Sequence, residues 1–350
     1  MENYYVKNRG RWHVPVAPVE DEILNPFKAD GVEVSVALAS ELPYENVKSR
    51  TVLGMLRHAK ESGMLNGVHT LIENTSGNTG LALALLAGGF GSIKRVDLIV
   101  PPDIPSGKEY PLKCAGARLI HPEDELSGIA TARKRGGGGW RAKGWCADEG
   151  CLNLDQYANP SNAFLHERKT GPEIMAAMGG VISVFGGGIG TGGTVCGVSK
   201  HLRSRVPAKI VGVLCSPNQG LPGVRTELQM QEITLPWRES VDVVVEVGRI
   251  PSFAMALWFG WLMGLAVGPS SGFAYIGVLK FLQAHKDAGM LDSLRQTEGT
   301  HKGKIRVAVL FPDTARPYGD RFSAFLSSHP VNYFNPATAP KPAELLKMAA

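Results

Sequence analysis

Two stretches of this chain are built from residue types that hold small anions. The first is Thr75-Ser76-Gly77-Asn78-Thr79-Gly80, set between an apolar run that ends at Glu73 and a second run over residues 81–87. Its hydroxyl and amide side chains are hydrogen-bond donors. Its glycines let the backbone turn N–H groups toward one point, and a following helix would place the positive end of its dipole there. The second stretch, Gly186-Gly187-Gly188-Ile189-Gly190-Thr191-Gly192-Gly193-Thr194, follows a buried apolar run over residues 181–185. Gly188, Gly190 and Gly193 have the spacing of a dinucleotide fingerprint between strand and helix. That use needs an acid about 20 residues further on to hold the ribose, and the next strand ends in Leu214-Cys215-Ser216. A smaller phosphate cradle is the alternative. Residues 190–194 offer consecutive N–H groups and two hydroxyls to one phosphate monoester, with glycines that allow close approach and positive φ. A glycine-rich turn with no ligand is the third reading. Two anion loops in separate α/β units point to one ligand with a phosphate and another with a carboxylate, meeting in a crevice at the carboxyl ends of strands.

The elements that must position these loops follow from periodicity. Residues 32–39 alternate as a strand does, and Val52, Leu53, Leu56 and Ala59 recur at helical spacing ahead of Gly63. Strands are predicted at 68–72, 96–101 and 117–121, with helices after the first loop and over 106–116, which makes a βαβαβ unit and a parallel sheet. Buried strands at 181–185, 209–215, 243–247 and 305–311 predict a second parallel sheet. Residues 160–171 read as a helix between domains, and residues 253–267 as a buried helix too short to span a bilayer. Residues 1–30 are polar and proline-marked and are expected to wrap over a surface. Residues 136–139 read as a flexible loop, and the chain from Pro336 as a mobile tail.

Composition narrows the function classes. With 350 residues, 44% of them hydrophobic and 20% charged, the chain suits about two globular domains with a sizeable core. The net charge of +5 is modest, and the one short basic run, Arg133-Lys134-Arg135, reads as a solvated loop, so no nucleic-acid partner is expected. The five cysteines, Cys114, Cys146, Cys151, Cys196 and Cys215, are odd in number and sparse, which fits a reducing, cytoplasmic setting and no zinc site. His58, His121, His166 and His201 lack metal or triad spacing and read as surface or satisfied core residues, and Met175 and Met178 as core. The start of the chain has no apolar leader and no membrane partner is expected.

Lys48 stands at the start of the helix before the first loop. In isolation such a lysine is a solvated side chain. Here it belongs to an ordered series: Asn46-Val47-Lys48-Ser49-Arg50, the Thr75–Gly80 loop, Gln156-Tyr157-Ala158-Asn159-Pro160, Thr170-Gly171-Pro172-Glu173-Ile174, the Gly190–Thr194 loop, Gly268-Pro269-Ser270-Ser271-Gly272 and Pro312-Asp313-Thr314. That series resembles the cysteine synthase family, the fold-type II pyridoxal-phosphate (PLP) enzymes that include cystathionine β-synthase, over most of the chain. The resemblance implies a tryptophan synthase β-like fold of two parallel-sheet α/β domains with the active site between them. Residues 1–45 and 165–335 would form the larger, phosphate-binding domain, residues 46–164 the smaller, substrate-binding one, and residues 336–350 the tail. It implies pyridoxal 5'-phosphate as cofactor, a Schiff base on Lys48, a phosphate loop of Gly190, Thr191, Gly192, Gly193 and Thr194, and Asn78 on the cofactor hydroxyl. Thr75, Ser76, Gly77, Thr79 and Gln156 would hold the amino-acid carboxylate, and Thr314 would meet the pyridine nitrogen. A homodimer is implied as well.

The physical chemistry agrees. A lysine must be neutral to attack an aldehyde, and desolvation lowers its pKa; the same amine can then serve as base at Cα. A hydroxyl at Thr314 would not hold the pyridine nitrogen protonated. The reaction implied is β-replacement on O-acetylserine, O-phosphoserine, serine or cysteine: Lys48 takes the α-proton, the Cβ substituent leaves, an aminoacrylate forms, and a thiol or amine adds. One alternative is β-elimination by a lyase or dehydratase that releases pyruvate and ammonia, and another is a non-catalytic PLP- or partner-binding protein. The chain departs from the family at Tyr44-Glu45-Asn46, where Pro-Gly-Gly-Ser is usual, and at Glu73-Asn74, where Glu-Pro is usual. It also lacks the family's Gly-Asn-Thr-Pro-Leu segment near the N-terminus. Tyr44 and Glu45 are expected to narrow the entrance or touch the second substrate. Leu221-Pro222-Gly223-Val224-Arg225 resembles a branch that takes bulkier or more anionic partners, which makes Arg225 a candidate for binding a phosphate or carboxylate.

Overall fold

A computed structural model of the chain describes residues 12–75, 77–91, 93–122, 127–136, 150–297, 299–329 and 338–348. Among the described residues, ten strands form two sheets. They are β1 (Val16–Pro18), β2 (Val32–Leu38), β3 (Thr70–Asn74), β4 (Arg95–Ile99), β5 (Arg118–Ile120), β6 (Cys151–Asn153), β7 (Val184–Gly188), β8 (Lys209–Cys215), β9 (Val243–Val247) and β10 (Ile305–Phe311). The larger sheet has the order β1-β2-β10-β7-β8-β9 and the smaller β5-β4-β3-β6. All neighbours are parallel except β1, which runs antiparallel to β2 with Val16 opposite Ala37.

Parallel strands covered on both faces carry apolar residues without a break. In β10, Val307, Val309 and Phe311 enter one core cluster while Ala308 and Leu310 enter another on the opposite face, as the two-residue period of a strand requires. The helices, in chain order, are α1 (Lys48–Glu61), α2 (Asn78–Ala87), α3 (Ser106–Cys114), α4 (Gly128–Gly136), α5 (Ser161–Leu165), α6 (Gly171–Ala177), α7 (Gly193–Arg203), α8 (Arg249–Met263), α9 (Pro269–Asp287), α10 (Gly319–Ser328) and α11 (Pro342–Leu345). Helices α8 and α9 are apolar nearly all round because they lie inside the protein. Phe259 of α8 meets Tyr275 and Phe311 edge-on at 4.7 and 4.8 Å, a favoured aromatic geometry.

Several elements differ from the expectation. The strand expected at 181–185 lies at Val184–Gly188, because α9 packs so closely on the sheet that a Cβ at Gly186 would come within 2.0 Å of Val278 Cγ2; glycine here marks close approach, not a loop. The short strands β1 and β6 carry too few residues to show a period. Residues 12–30 do more than wrap a surface, since Val14, Leu24 and Phe27 are buried and Tyr275 donates its hydroxyl to the Leu24 carbonyl at 3.1 Å. The helix expected over 160–171 is α5, one wide π turn over His166–Thr170, and then α6. Residues 133–135 are helical: Arg133 pairs with Asp155 at 2.8 Å and Arg135 with Asp97 at 3.6 Å. Residues 338–348, within the expected tail, pack on the protein, with Leu345 fully buried and Trp258 Nε1 donating to the Pro340 carbonyl at 2.9 Å. Residues 137–139 of the expected flexible loop and Cys146 lie outside the described residues. Among the described residues no helix is long and apolar enough to cross a membrane, and no group of three or more His, Cys, Asp or Glu could hold a metal ion.

Candidate active site

The second glycine loop runs from the end of β7 into α7. Gly192 is left-handed at φ 83 and, as a glycine, offers no side-chain cap to the helix start; only a long 3.4 Å bond from the Gly193 N–H to Thr191 Oγ1 is made there by a side chain. A Cβ at Gly190 would lie 2.4 Å from the Gly223 carbonyl oxygen, and one at Gly193 would lie 2.0 Å from Asn162 Oδ1. The loop is therefore a cradle of bare backbone. Asn162 Nδ2 donates to Thr191 Oγ1 at 3.0 Å and to the Gln156 carbonyl at 2.7 Å, which ties the cradle to the smaller sheet's side of the cleft.

Lys48 is the first residue of α1. Its N–H is capped by Asn46 Oδ1 at 3.0 Å, and Val47 N–H bonds the Pro312 carbonyl at 2.8 Å, so the end of β10 fixes where α1 begins. Lys48 Nζ is 3.5 Å from Thr191 Oγ1. Desolvation lowers its pKa to about 8, opposed by the Asp313 carboxylate and helped by Arg225. An amine so placed is partly neutral near neutral pH.

The first loop follows β3. Thr75 Oγ1 accepts from the N–H groups of Gly77 at 3.0 Å and Gly80 at 3.2 Å, which folds the loop over the start of α2. Gly77 has φ 135, and a Cβ there would come within 2.6 Å of Lys108 Cδ. Thr79 Oγ1 donates to Gln156 Oε1 at 2.7 Å, and Gln156 Nε2 donates to the Asn74 carbonyl at 2.7 Å. Ser76 lies outside the described residues.

These parts share one cavity of about 610 Å³, inside the ordinary range for a small-molecule site. Lys48, Thr75, Asn78, Thr79, Gln156, Gly190, Thr191, Thr194 and Arg225 line it together. Gly77, Gly192 and Gly193 stand behind the surface and set the turns. Arg225 is no free surface arginine: its guanidinium lies 4.8 Å over the Tyr157 ring, donates to the Gln229 carbonyl at 3.2 Å and sits 3.9 Å from Glu232.

Three other expected residues lie off the cavity surface. Thr314 does not line the cavity; its hydroxyl donates to Glu45 Oε2 at 3.1 Å. The extended chain after β10 alternates sides, so Asp313 faces the cleft and Thr314 faces away. Asp313 accepts from Asn78 Nδ2 at 2.7 Å, from Ser270 Oγ at 2.9 Å and from the Tyr318 hydroxyl. Tyr44 and Glu45 do not line the cavity either. Both are left-handed, at φ 65 and φ 57, a strained state for residues with a Cβ. Tyr44 packs with the smaller sheet's core, and Glu45 pairs with Arg316 at 2.8 Å.

Other residues of the site had no signal that spacing could expose. His166 is buried and contacts Thr51 at 3.1 Å, Thr170 at 2.9 Å and Thr194 at 3.3 Å, joining α1, the π turn and the start of α7. Burial, with Arg50 and Lys48 nearby, lowers its pKa well below the ordinary value, so it is neutral. Ser270, Asp313 and Tyr318 meet only through the fold; Ser270 and Asp313 lie within stretches that the family resemblance already singles out, but no role attached to them.

The comparisons with known proteins agree with this geometry. The pattern of the pyridoxal-phosphate dependent enzyme family matches residues 22–290. The chain is 33% identical to cysteine synthase B of Escherichia coli (strain K12) over 267 residues, covering 74% of this chain and 83% of that protein. It is 30% identical to a cysteine synthase of Staphylococcus aureus over 298 residues, covering 83% and 88%. It is 29% identical to cystathionine beta-synthase of Rattus norvegicus over 290 residues, covering 79% of this chain and 48% of that protein. The chain therefore belongs to the pyridoxal-phosphate dependent enzymes of fold type II, and pyridoxal 5'-phosphate is its cofactor.

Proposed function

We propose that this protein catalyses β-replacement on a serine- or cysteine-derived amino acid, with a thiol or amine as second substrate. The observation that carries the proposal is the position of Lys48: its amine lies 3.5 Å from the glycine cradle and shares one cavity with the Thr75–Thr79 loop. The residues present fit the cofactor. The cradle lies at a helix start whose N-cap makes no side-chain bond, and its glycines pack so closely on Gly223, Trp237 and Asn162 that no Cβ fits there, which leaves the loop as backbone.

In this reading Gly190, Thr191, Gly192, Gly193 and Thr194 bind the phosphate, and Asn78 orients the ring hydroxyl. Ser270, which lines the cavity where Thr314 does not, would meet the ring nitrogen. Bound at Lys48, PLP supplies the electron sink for chemistry at Cα and Cβ. Thr75, Ser76, Gly77, Thr79 and Gln156 receive the donor's carboxylate, and the Thr79–Gln156 bond opens to release a donor group for it. Lys48 moves the proton at Cα, as an amine with pKa about 8 can do in both directions. Arg225 faces an anionic group on the donor, and Arg225→Ala raises KM for such a donor. Residues 1–45 and 165–335 act as the phosphate-binding domain and residues 46–164 as the donor-binding one. A cytoplasmic homodimer is part of the proposal.

The test is the visible spectrum of the purified protein with O-acetylserine, O-phosphoserine, serine and cysteine in turn. A PLP band that Lys48→Ala removes, and that one donor changes until a thiol or amine restores it, is the expected result. Pyruvate release with no acceptor effect would move the assignment to elimination. A protein that takes up PLP yet responds to none of the four donors would sink the proposal.

A further inference from the structure

One wall of the cavity carries more positive charge than the donor chemistry uses. Arg321 and Arg249 both line the cavity. Arg249 covers the Phe253 ring at 5.6 Å, and that ring meets Phe322, the neighbour of Arg321, edge-on at 5.0 Å. Arg321 donates from NH2 to the Asp103 carbonyl at 3.1 Å, while its Nε is buried with no acceptor among the described residues. Behind it, Lys108 is only 3% exposed, lies 4.6 Å over the Tyr318 ring, and its Nζ also lacks an acceptor among the described residues. Burying charged donors without an acceptor is costly.

The acids at hand do not answer these cations. Asp313 is taken by Asn78, Ser270 and Tyr318. The Asp103 carboxylate is 3.8 Å from Arg321 and its side chain is 84% exposed, so the pair is weak. Pro101, Pro102, Pro105 and Phe253 supply apolar lining to the same cavity. Guanidinium groups beside an apolar lining suit an organic carboxylate with a carbon stem better than a small inorganic anion. Arg225 belongs to another cluster, with Tyr157, Gln229 and Glu232.

We infer that Arg321 and Arg249 form an anion subsite for the carboxylate of the second substrate, so that the acceptor is a carboxylate-bearing thiol or amine. This rests on the β-replacement reading. Lys108 adds positive charge behind Arg321 whenever its amine is protonated, and an anion in the subsite favours that state.

The test uses the PLP-loaded protein with the active donor and two acceptors that differ by one charge, mercaptoacetate and mercaptoacetamide, with rates expressed per thiolate. The parent should prefer mercaptoacetate at least about tenfold in kcat/KM, the equivalent of one charge-assisted contact, and the preference should lie in KM. Arg321→Gln should reduce it below about threefold, and Arg249→Gln should weaken it, while the spectral change with donor alone keeps the parent amplitude and rate. Equal use of both thiols by the parent, or a preference that survives both variants, overturns the subsite. If neither thiol is consumed, calorimetric binding of the two thiols to the PLP-loaded protein decides the subsite, and the response to the donors alone decides the replacement reading. Tighter binding of mercaptoacetate that Arg321→Gln abolishes supports it; any other outcome overturns it.

Discussion

Gly193→Ala puts the bare-backbone cradle to a quantitative test. The new Cβ would lie 2.0 Å from Asn162 Oδ1, 2.3 Å from its Cγ and 2.8 Å from its Nδ2. Asn162 is fully buried, so its amide cannot swing into solvent, and moving it strains or breaks the bonds to Thr191 Oγ1 and the Gln156 carbonyl. Two such bonds at about 1 kcal/mol each, with about 1–3 kcal/mol of overpacking, give a loss of about 3–5 kcal/mol. The cradle also shifts at the helix start where phosphate would bind. Loss of one contact to a charged oxygen, about 1.5–3 kcal/mol, weakens PLP roughly tenfold to a hundredfold. The assays are thermal melting of the PLP-free protein and fluorescence titration with PLP, in a Lys48→Ala background so that only non-covalent binding is read. Gly88→Ala is the control, since a Cβ there meets nothing within 4 Å among the described residues and its φ of −60 is ordinary. Adding Asn162→Ala to Gly193→Ala removes the overlap and should recover part of the melting temperature but not the PLP affinity. If Gly193→Ala melts with its parent and binds PLP as tightly, the cradle is wrongly assigned.

Two further outcomes follow from the buried amines. Lys48, lowered to about 8, should capture PLP faster as pH rises, with a midpoint near that value when the rate is followed by absorbance; Asp313→Asn should move the midpoint down and Arg225→Gln should move it up, and a midpoint at the ordinary lysine value would remove the desolvation argument. Lys108 is likewise lowered to about 8 from 10.5 by burial, which corresponds to about 3 kcal/mol of destabilisation at pH below 8. The unfolded state then holds the proton more tightly than the native state, so this cost fades as pH rises from about 8 to 10.5. Lys108→Met should accordingly raise the melting temperature of the PLP-free protein at pH 7, with the gain shrinking toward pH 10; equal melting of the two proteins at both pH values would show that the amine is not desolvated.

Much of this site lay in the linear pattern. Turn chemistry is local, so the glycine and hydroxyl runs at residues 75–80 and 186–194 marked the two loops that the fold brings to one cavity, and continuous apolar runs such as residues 209–215 and 305–311 declared buried parallel strands. The ordered series around Lys48 was enough to name the family. What no local pattern carries is side-chain direction at an irregular segment. Asp313 and Thr314 are adjacent, and only the pairing of Asn46 with Asp313 and of Val267 with Thr314 decides which of them faces the cleft. Short strands such as β1 and β6 have too few residues for a period, and their existence depends on a partner strand far along the chain. Tertiary structure alone decided that Glu45 holds Thr314, that His166 joins α1 to the cradle, and that Lys108 Nζ and Arg321 Nε are buried with no acceptor among the described residues. Burial and long-range proximity set the cost of each charge, and neither can be read from neighbours in sequence.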